Sequence, residues 1–355
     1  MTSPDAAVQQ IVAAIGTRDD AAYHAALRNL VDAVRSASPA DIEPALVHLA
    51  QVLGEVPLGP ASDLAQIAGS MAGMVTDTSP VLGVLVDRAC QAMEQAAQFL
   101  TLHQDTLGEP PSPEDPSAIQ DTIERFVPAV HGRVSEPYPL VEAWFAGSDW
   151  VQPVLYLSQR ADVRAALPQR ERLQVAVESI REHFSVANWL YGLLLVLDNT
   201  PLIVLHRPTG VGYRVTIGGI GDNFQLHTLL AAHLIGDPGA GWLPGTPPTA
   251  EMIAAADGTG EPVPPGAIVG QFNLVDPYGA WIWNEGRPAD IPQFEGVRVV
   301  ILDPPPYQRS WNAGRVYPLM RPTLRVDGQL PPDEAASWLA KARPAGTQQA
   351  GSPAE

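Results

Sequence analysis

The spacing of apolar residues changes once along the chain, near Leu190, and this change limits the fold more than any other feature. Before it, apolar residues recur every three or four positions, the period of a helix with one buried face. After it, short β-branched runs alternate with polar residues, the period of a half-exposed strand. The expected architecture is therefore an all-helical bundle or helical-hairpin array, followed by an α+β domain with a mainly antiparallel sheet.

The helical part is punctuated by Ser-Pro pairs. Ser3-Pro4, Ser38-Pro39 and Ser79-Pro80 each precede an apolar-periodic segment. Serine at the N-cap accepts an orphan backbone N–H, and proline tolerates the first helical position because its missing N–H has no partner to lose. With "DAAYHAALRNLVDAV" and "SDLAQIAGSMAGMV" between them, about five helices fill the first hundred residues. "GEPPSPEDPS", residues 108–117, carries too many prolines for a helix or a central strand and reads as a linker. Ser117 with Gln120 then has the form of a capping box, opening further helices. The expected organisation is a helical domain over 1–107, the linker 108–117, an α+β domain over 118–343 with a helical entry segment, and a compositionally disordered tail over 344–355.

Within the α+β part, "LLLVLD", "PLIVLH" and "GYRVTI" read as an antiparallel meander. In the third run Tyr213, Val215 and Ile217 alternate with Arg214 and Thr216, so one face should be wet. A helix begins after Asp222. A Pro/Gly-rich loop over 236–266 follows, broken by the helical "AEMIAAA". Strands are then expected at "AIVGQFNLV", "AWIWNEG", "VRVVILD" and "TLRVD", and a last helix at "PDEAASWLAKA".

Charge narrows the function. With 21 basic and 39 acidic side chains the net charge is -18, which repels phosphate backbones and anionic lipid. No nucleic-acid or membrane partner is expected. Lys341 is the only lysine, so no Walker lysine and no central Schiff base is available. Cys90 is the only cysteine, which removes disulfides within the chain and cysteine-based zinc sites; it reads as a small buried hydrophobe. Neither a metal nor a cofactor is expected. The first residues lack the basic start and apolar core of a signal peptide, and "WLYGLLLVL" is about half a membrane span, so the chain reads as soluble and cytoplasmic.

Three places carry candidate chemistry. "GGIGDN" supplies Gly219 and Gly221 of a dinucleotide fingerprint, but Phe224 stands where the third glycine belongs, and Asp222 puts a carboxylate where a phosphate would sit. Asp222 with Gln225 is better read as a capping box. Asp222, His227 and His206 are the parts of an acid–base site, for example a hydrolase site beneath a mobile 236–266 loop, although no nucleophile elbow accompanies them. Against this stands the ordinary role of a histidine on an amphipathic helix, which is packing. The richest stretch runs from Tyr278 to Arg315. Trp281 and Trp283 share one face of an expected strand, with Arg287, Arg309, Trp311 and Arg315 nearby. Aromatic faces beside arginines suit a ligand pocket or a protein hot spot; they equally suit a well-packed corner. The favoured reading is a binding or accessory protein with a helical scaffold and an α+β domain that recognises a protein partner or small ligand through this cluster. The rival is the acid–base enzyme.

Overall fold

Ser3 and Ser38 begin helices as their Ser-Pro pairs predict. In a computed structural model describing residues 2–261 and 266–346, Ser3 Oγ accepts the Ala6 N–H at 3.2 Å, and Ser38 with Asp41 closes a capping box. The third pair differs: Thr78 is the N-cap and Ser79 lies inside the helix. The chain divides into two units, Met1–Leu194 and Leu195–Glu355.

The first unit is all helical. Its helices are α1 (Pro4–Thr17), α2 (Asp20–Val34), α3 (Pro39–Glu55), α4 (Ser62–Ala72), α5 (Ser79–Leu107), α6 (Ile119–Ala129), α7 (Tyr138–Leu157), α8 (Ala161–Ala166), α9 (Arg170–Glu178) and α10 (Ser185–Leu194). The 29-residue α5 packs against α3, α7 and α9 and carries Cys90, whose thiol is buried and pushed up to about 11 by desolvation. The boundary between units falls at Leu194/Leu195, whereas the sequence placed it at 108–117. The Pro-rich segment belongs to the first unit because later side chains hold it: Trp144 Nε1 donates to Pro111 O at 3.0 Å. Ser117 does not cap α6. It donates to Asp115 in a short 3-10 turn, and Gln120 bonds Glu124 one turn on.

The second unit is α+β. It contains β1 (Thr200–His206), β2 (Val211–Gly218), α11 (Asn223–Leu234), α12 (Ala250–Asp257), β3 (Ala267–Val269), β4 (Asn273–Val275), β5 (Gln293–Phe294), β6 (Val297–Asp303), β7 (Ser310–Asn312), β8 (Thr323–Gln329) and α13 (Pro332–Lys341). Five strands run in the order β4-β6-β1-β2-β8, and β5 adds to β6. All these pairings are antiparallel except β1 with β6. β3 and β7 form a separate pair. The alternation in β2 is as expected: Tyr213, Val215 and Ile217 are buried, while Arg214 is exposed. Lys341, at the end of α13, donates to Glu295 at 2.8 Å.

Two expected strands are absent. "LLLVLD" starts in α10 and continues as loop, so the meander is a two-stranded hairpin. A short apolar run without polar alternation does not distinguish a buried helix end from a strand. "AWIWNEG" follows a side-chain turn: Asp276 Oδ1 accepts the N–H groups of Tyr278 and Ala280, both at 2.9 Å. This bends the backbone away from the ladder, and only Trp281 bridges Val275. The described part of the 236–266 loop is anchored. Leu243 N donates to Leu234 O at 2.8 Å, and Trp242 stacks on Tyr213 at 6.1 Å. Residues 262–265 of that loop, and 347–355 of the expected tail, lie outside the described residues.

Candidate functional site

The glycine turn before α11 has no room for a phosphate. Gly219 takes φ +63°, and a Cβ there would meet Arg321 O at 2.8 Å. The first N–H groups of α11 already have acceptors: Asn223 N donates to Gly286 O, Phe224 N to Asn284 O, and Gln225 N to Asp222 Oδ1, at 2.8 to 3.0 Å. Anion sites at helix starts depend on those groups being free. Asp222 is therefore a cap, as expected. Gln225 departs from the capping box by one residue, because its Oε1 accepts from Gly221 N rather than from the cap residue, and its Nε2 donates to Ala256 O.

Asp222, His227 and His206 are not hydrogen-bonded to one another. Asp222 is engaged with its own helix; burial pushes its carboxyl up to about 6, with Glu285 adding to the rise. His227 is 0% exposed, and neither ring nitrogen has a partner. Desolvation, reinforced by the Arg309 charge, pulls it down to about 3, so it is neutral across the physiological range. His206 is bonded to Thr209 Oγ1 at 2.8 Å, and burial lowers its pKa. Both imidazoles pack on Phe272, with ring centroids 5.7 Å and 5.9 Å away. General acid–base work needs a base that can reach a substrate proton, and His227 is enclosed.

The Trp/Arg group divides. Trp311 lies on the His227 ring at 4.8 Å and donates to Thr228 Oγ1 at 3.4 Å. Arg309 donates to Phe272 O at 3.0 Å, with its Nε buried and unpartnered. Arg315 holds Ala255 O at 2.7 Å, and Arg287 begins a 3-10 turn closed by Asp290. These four residues order loops and core. Trp283 faces outward instead, 52% exposed, while Trp281, 6.2 Å away between ring centroids, is half-buried with its Nε1 buried and unpartnered.

Trp281 borders a pocket of about 580 Å³, lined also by Arg207, Asn273, Asp303, Pro304, Tyr307 and the segment Pro344–Gly346. The sheet explains the gathering. β1 and β6 are the one parallel pair among the described strands, and both end here: Arg207 follows β1, and Asp303 is the last residue of β6. Asn273 begins the antiparallel β4 directly opposite Asp303. In sheets with parallel strands, ligands collect at the carboxyl ends because that edge is open while loops diverge from it. Asp303 is only 6% exposed, and its Oδ1 accepts Arg207 Nε at 2.7 Å. No donor among the described residues reaches its Oδ2. Tyr307, 55% exposed, stands 6.4 Å from the Trp281 ring. Aromatic rings beside a carboxylate and a carboxamide form an apolar site with a few convergent polar groups.

Arg207, Asn273, Asp303 and Tyr307 are not among the residues expected from sequence. Their one visible signal is polarity at strand ends, at "LHR" and "ILD". Another pocket, of about 370 Å³ beside His103, Glu109 and Arg125 in the helical unit, has no aromatic wall facing solvent. Among the described residues, no three His, Cys, Asp or Glu side chains gather as a metal site, and no helix is long and apolar enough to cross a membrane. Compared with protein families, curated proteins and solved structures, the chain matches none.

Proposed function

We propose that the protein is a cytoplasmic binding or accessory protein, whose α+β unit recognises a ligand or partner segment in the pocket at the carboxyl ends of β1 and β6. The observation that carries this is the half-buried Trp281 beside the exposed Tyr307 at a pocket that also holds the ion pair of half-buried Arg207 with buried Asp303. Exposed aromatics cost solvation unless something covers them, and rigid aromatic anchors are what binding hot spots use. The acidic helical unit, with 6 basic and 18 acidic side chains in its first 137 residues, serves in this reading as the scaffold. The reading is preferred to an acid–base enzyme because Asp222, His227 and His206 have no mutual hydrogen bond and His227 has no access. A thermal-shift screen with amino acids, nucleotides, sugars and short peptides tests it, since a ligand of the native state raises Tm. Any hit should lose its shift in Trp281→Ala and in Asp303→Asn. A hit that keeps its full shift in both variants would sink the proposal.

A further inference from the structure

The chain already lays a piece of itself along this pocket. After α13, residues 343–346 run beside the Pro277–Gly279 turn. Arg343 N donates to Pro277 O and Gly346 N to Gly279 O, both at 2.9 Å. Arg207 Nη2 donates to Arg343 O, also at 2.9 Å. Two donors and one acceptor of a four-residue segment are thus met by the groove, all through main-chain atoms of that segment. Pro344, between the two donors, has no N–H to satisfy. Pro344, Ala345 and Gly346 form one wall of the pocket, and Ala345 joins the apolar cluster containing Trp281 and Trp338.

The receiving side is shaped for this. Gly279 has φ +89°, and a Cβ there would lie 2.6 Å from Pro344 O. Arg207 connects the two halves of the site: its Nε holds Asp303 on the floor, while its Nη2 holds the segment.

We infer that the groove along the Pro277–Gly279 turn takes an extended, proline-containing peptide with a small residue after the proline, and that residues 343–346, seated there in cis, close one wall of the pocket. This rests on the pocket reading above and adds the ligand class. Main-chain bonds supply affinity, a proline fits because no acceptor is needed for its missing N–H, and the small residue after it packs in the cluster of Trp281 and Trp338, a combination that extended-peptide binders use. A tethered segment competes at an effective concentration near millimolar, so a partner peptide in trans binds weakly until the cis segment leaves.

The test uses the full chain and a fluorescein-labelled peptide of sequence ARPAGTQQA, corresponding to residues 342–350. In the full-length double variant Pro344→Asp, Ala345→Asp, the cis segment should be unseated. Anisotropy should then show the peptide binding on the order of tenfold tighter than to wild type. The control peptide ARDDGTQQA should not bind. Adding Trp281→Ala should abolish binding. In wild type, amide exchange over residues 343–346 should be slowed, and saturating peptide should speed it. The inference is overturned if the peptide binds both proteins equally, if it does not bind the unseated variant, or if exchange over 343–346 proceeds at the free-chain rate. Wild-type dimers that dissociate on unseating would assign the segment to a neighbouring copy and overturn the cis assignment. If the peptide fails while another ligand's thermal shift still depends on Trp281 and Asp303, the pocket reading stands and only the peptide class falls. Peptide binding indifferent to Trp281→Ala would overturn the pocket itself.

Discussion

Two regions of the α+β unit are built from the same ingredients and are put to opposite use. One is the pocket of Trp281, Tyr307, Arg207 and Asp303; the other is the set Trp311, Phe272, Arg309 and His227. Each has aromatic rings, an arginine and a further titratable group. In the first, Arg207 and Asp303 stand at strand ends and line a cavity, although Trp281 Nε1 is buried without a partner. In the second, the polar groups are enclosed, and His227, Arg309 Nε and the nearby Asn223 Oδ1 and Asn284 Oδ1 are buried without partners. Residue type therefore does not separate a site from a core. Position relative to the strand ends does.

Phe272 is a wall of the enclosed region alone, and removing it should cost the most. Phe272→Ala deletes a fully buried ring packed on both imidazoles, and should lower unfolding free energy by about 3–4 kcal/mol in urea titration. Arg207→Ala leaves the buried Asp303 carboxylate without its charged donor, and should cost about 2 kcal/mol. The same variant should also speed amide exchange in residues 343–346, an effect confined to the pocket side.

In the enclosed region the sign reverses. His227→Leu removes two unpartnered buried nitrogens and should stabilise the protein by about 1 kcal/mol. A loss of stability would show that an unseen partner satisfies the ring. The pH dependence sharpens this. His227, lowered from 6.5 to about 3, binds fewer protons in the folded state, so its contribution to stability falls as pH drops through that interval. Asp222, raised from 3.8 to about 6, binds more protons when folded, so its contribution falls as pH rises through its interval. Between about pH 4 and 6 the two oppose each other, and this pair should leave wild-type stability nearly flat. His227→Leu should expose a decline toward pH 6, and Asp222→Asn a rise. Parallel curves for all three proteins would remove both shifts. The smallest effect is expected on the open side: Trp283→Ala should change stability by less than about 0.5 kcal/mol.

How legible all this is in the sequence depends on the range of the interactions. Helices announced by Ser3-Pro4 and Ser38-Pro39, and the face of β2 set by Tyr213, Val215 and Ile217, follow from local rules of capping and period. "LLLVLD" misleads because an apolar run carries no period, and "AWIWNEG" because one side chain, Asp276, redirects the backbone after it. The pocket is half visible. Trp281 and Trp283 stand out by type, whereas Asp303 and Arg207 matter only because β1 and β6 run side by side in parallel, a pairing between segments almost a hundred residues apart. No local pattern encodes such a neighbour.

The ion pair that ends α13 has a practical side. Lys341 is the only lysine, held at 2.8 Å by Glu295 and two residues ahead of Arg343. Amine-directed labelling of side chains therefore attaches a dye at one place, just before the segment that lines the pocket. A dye there is a built-in reporter, able to register the arrival and departure of residues 343–346 without any engineered residue.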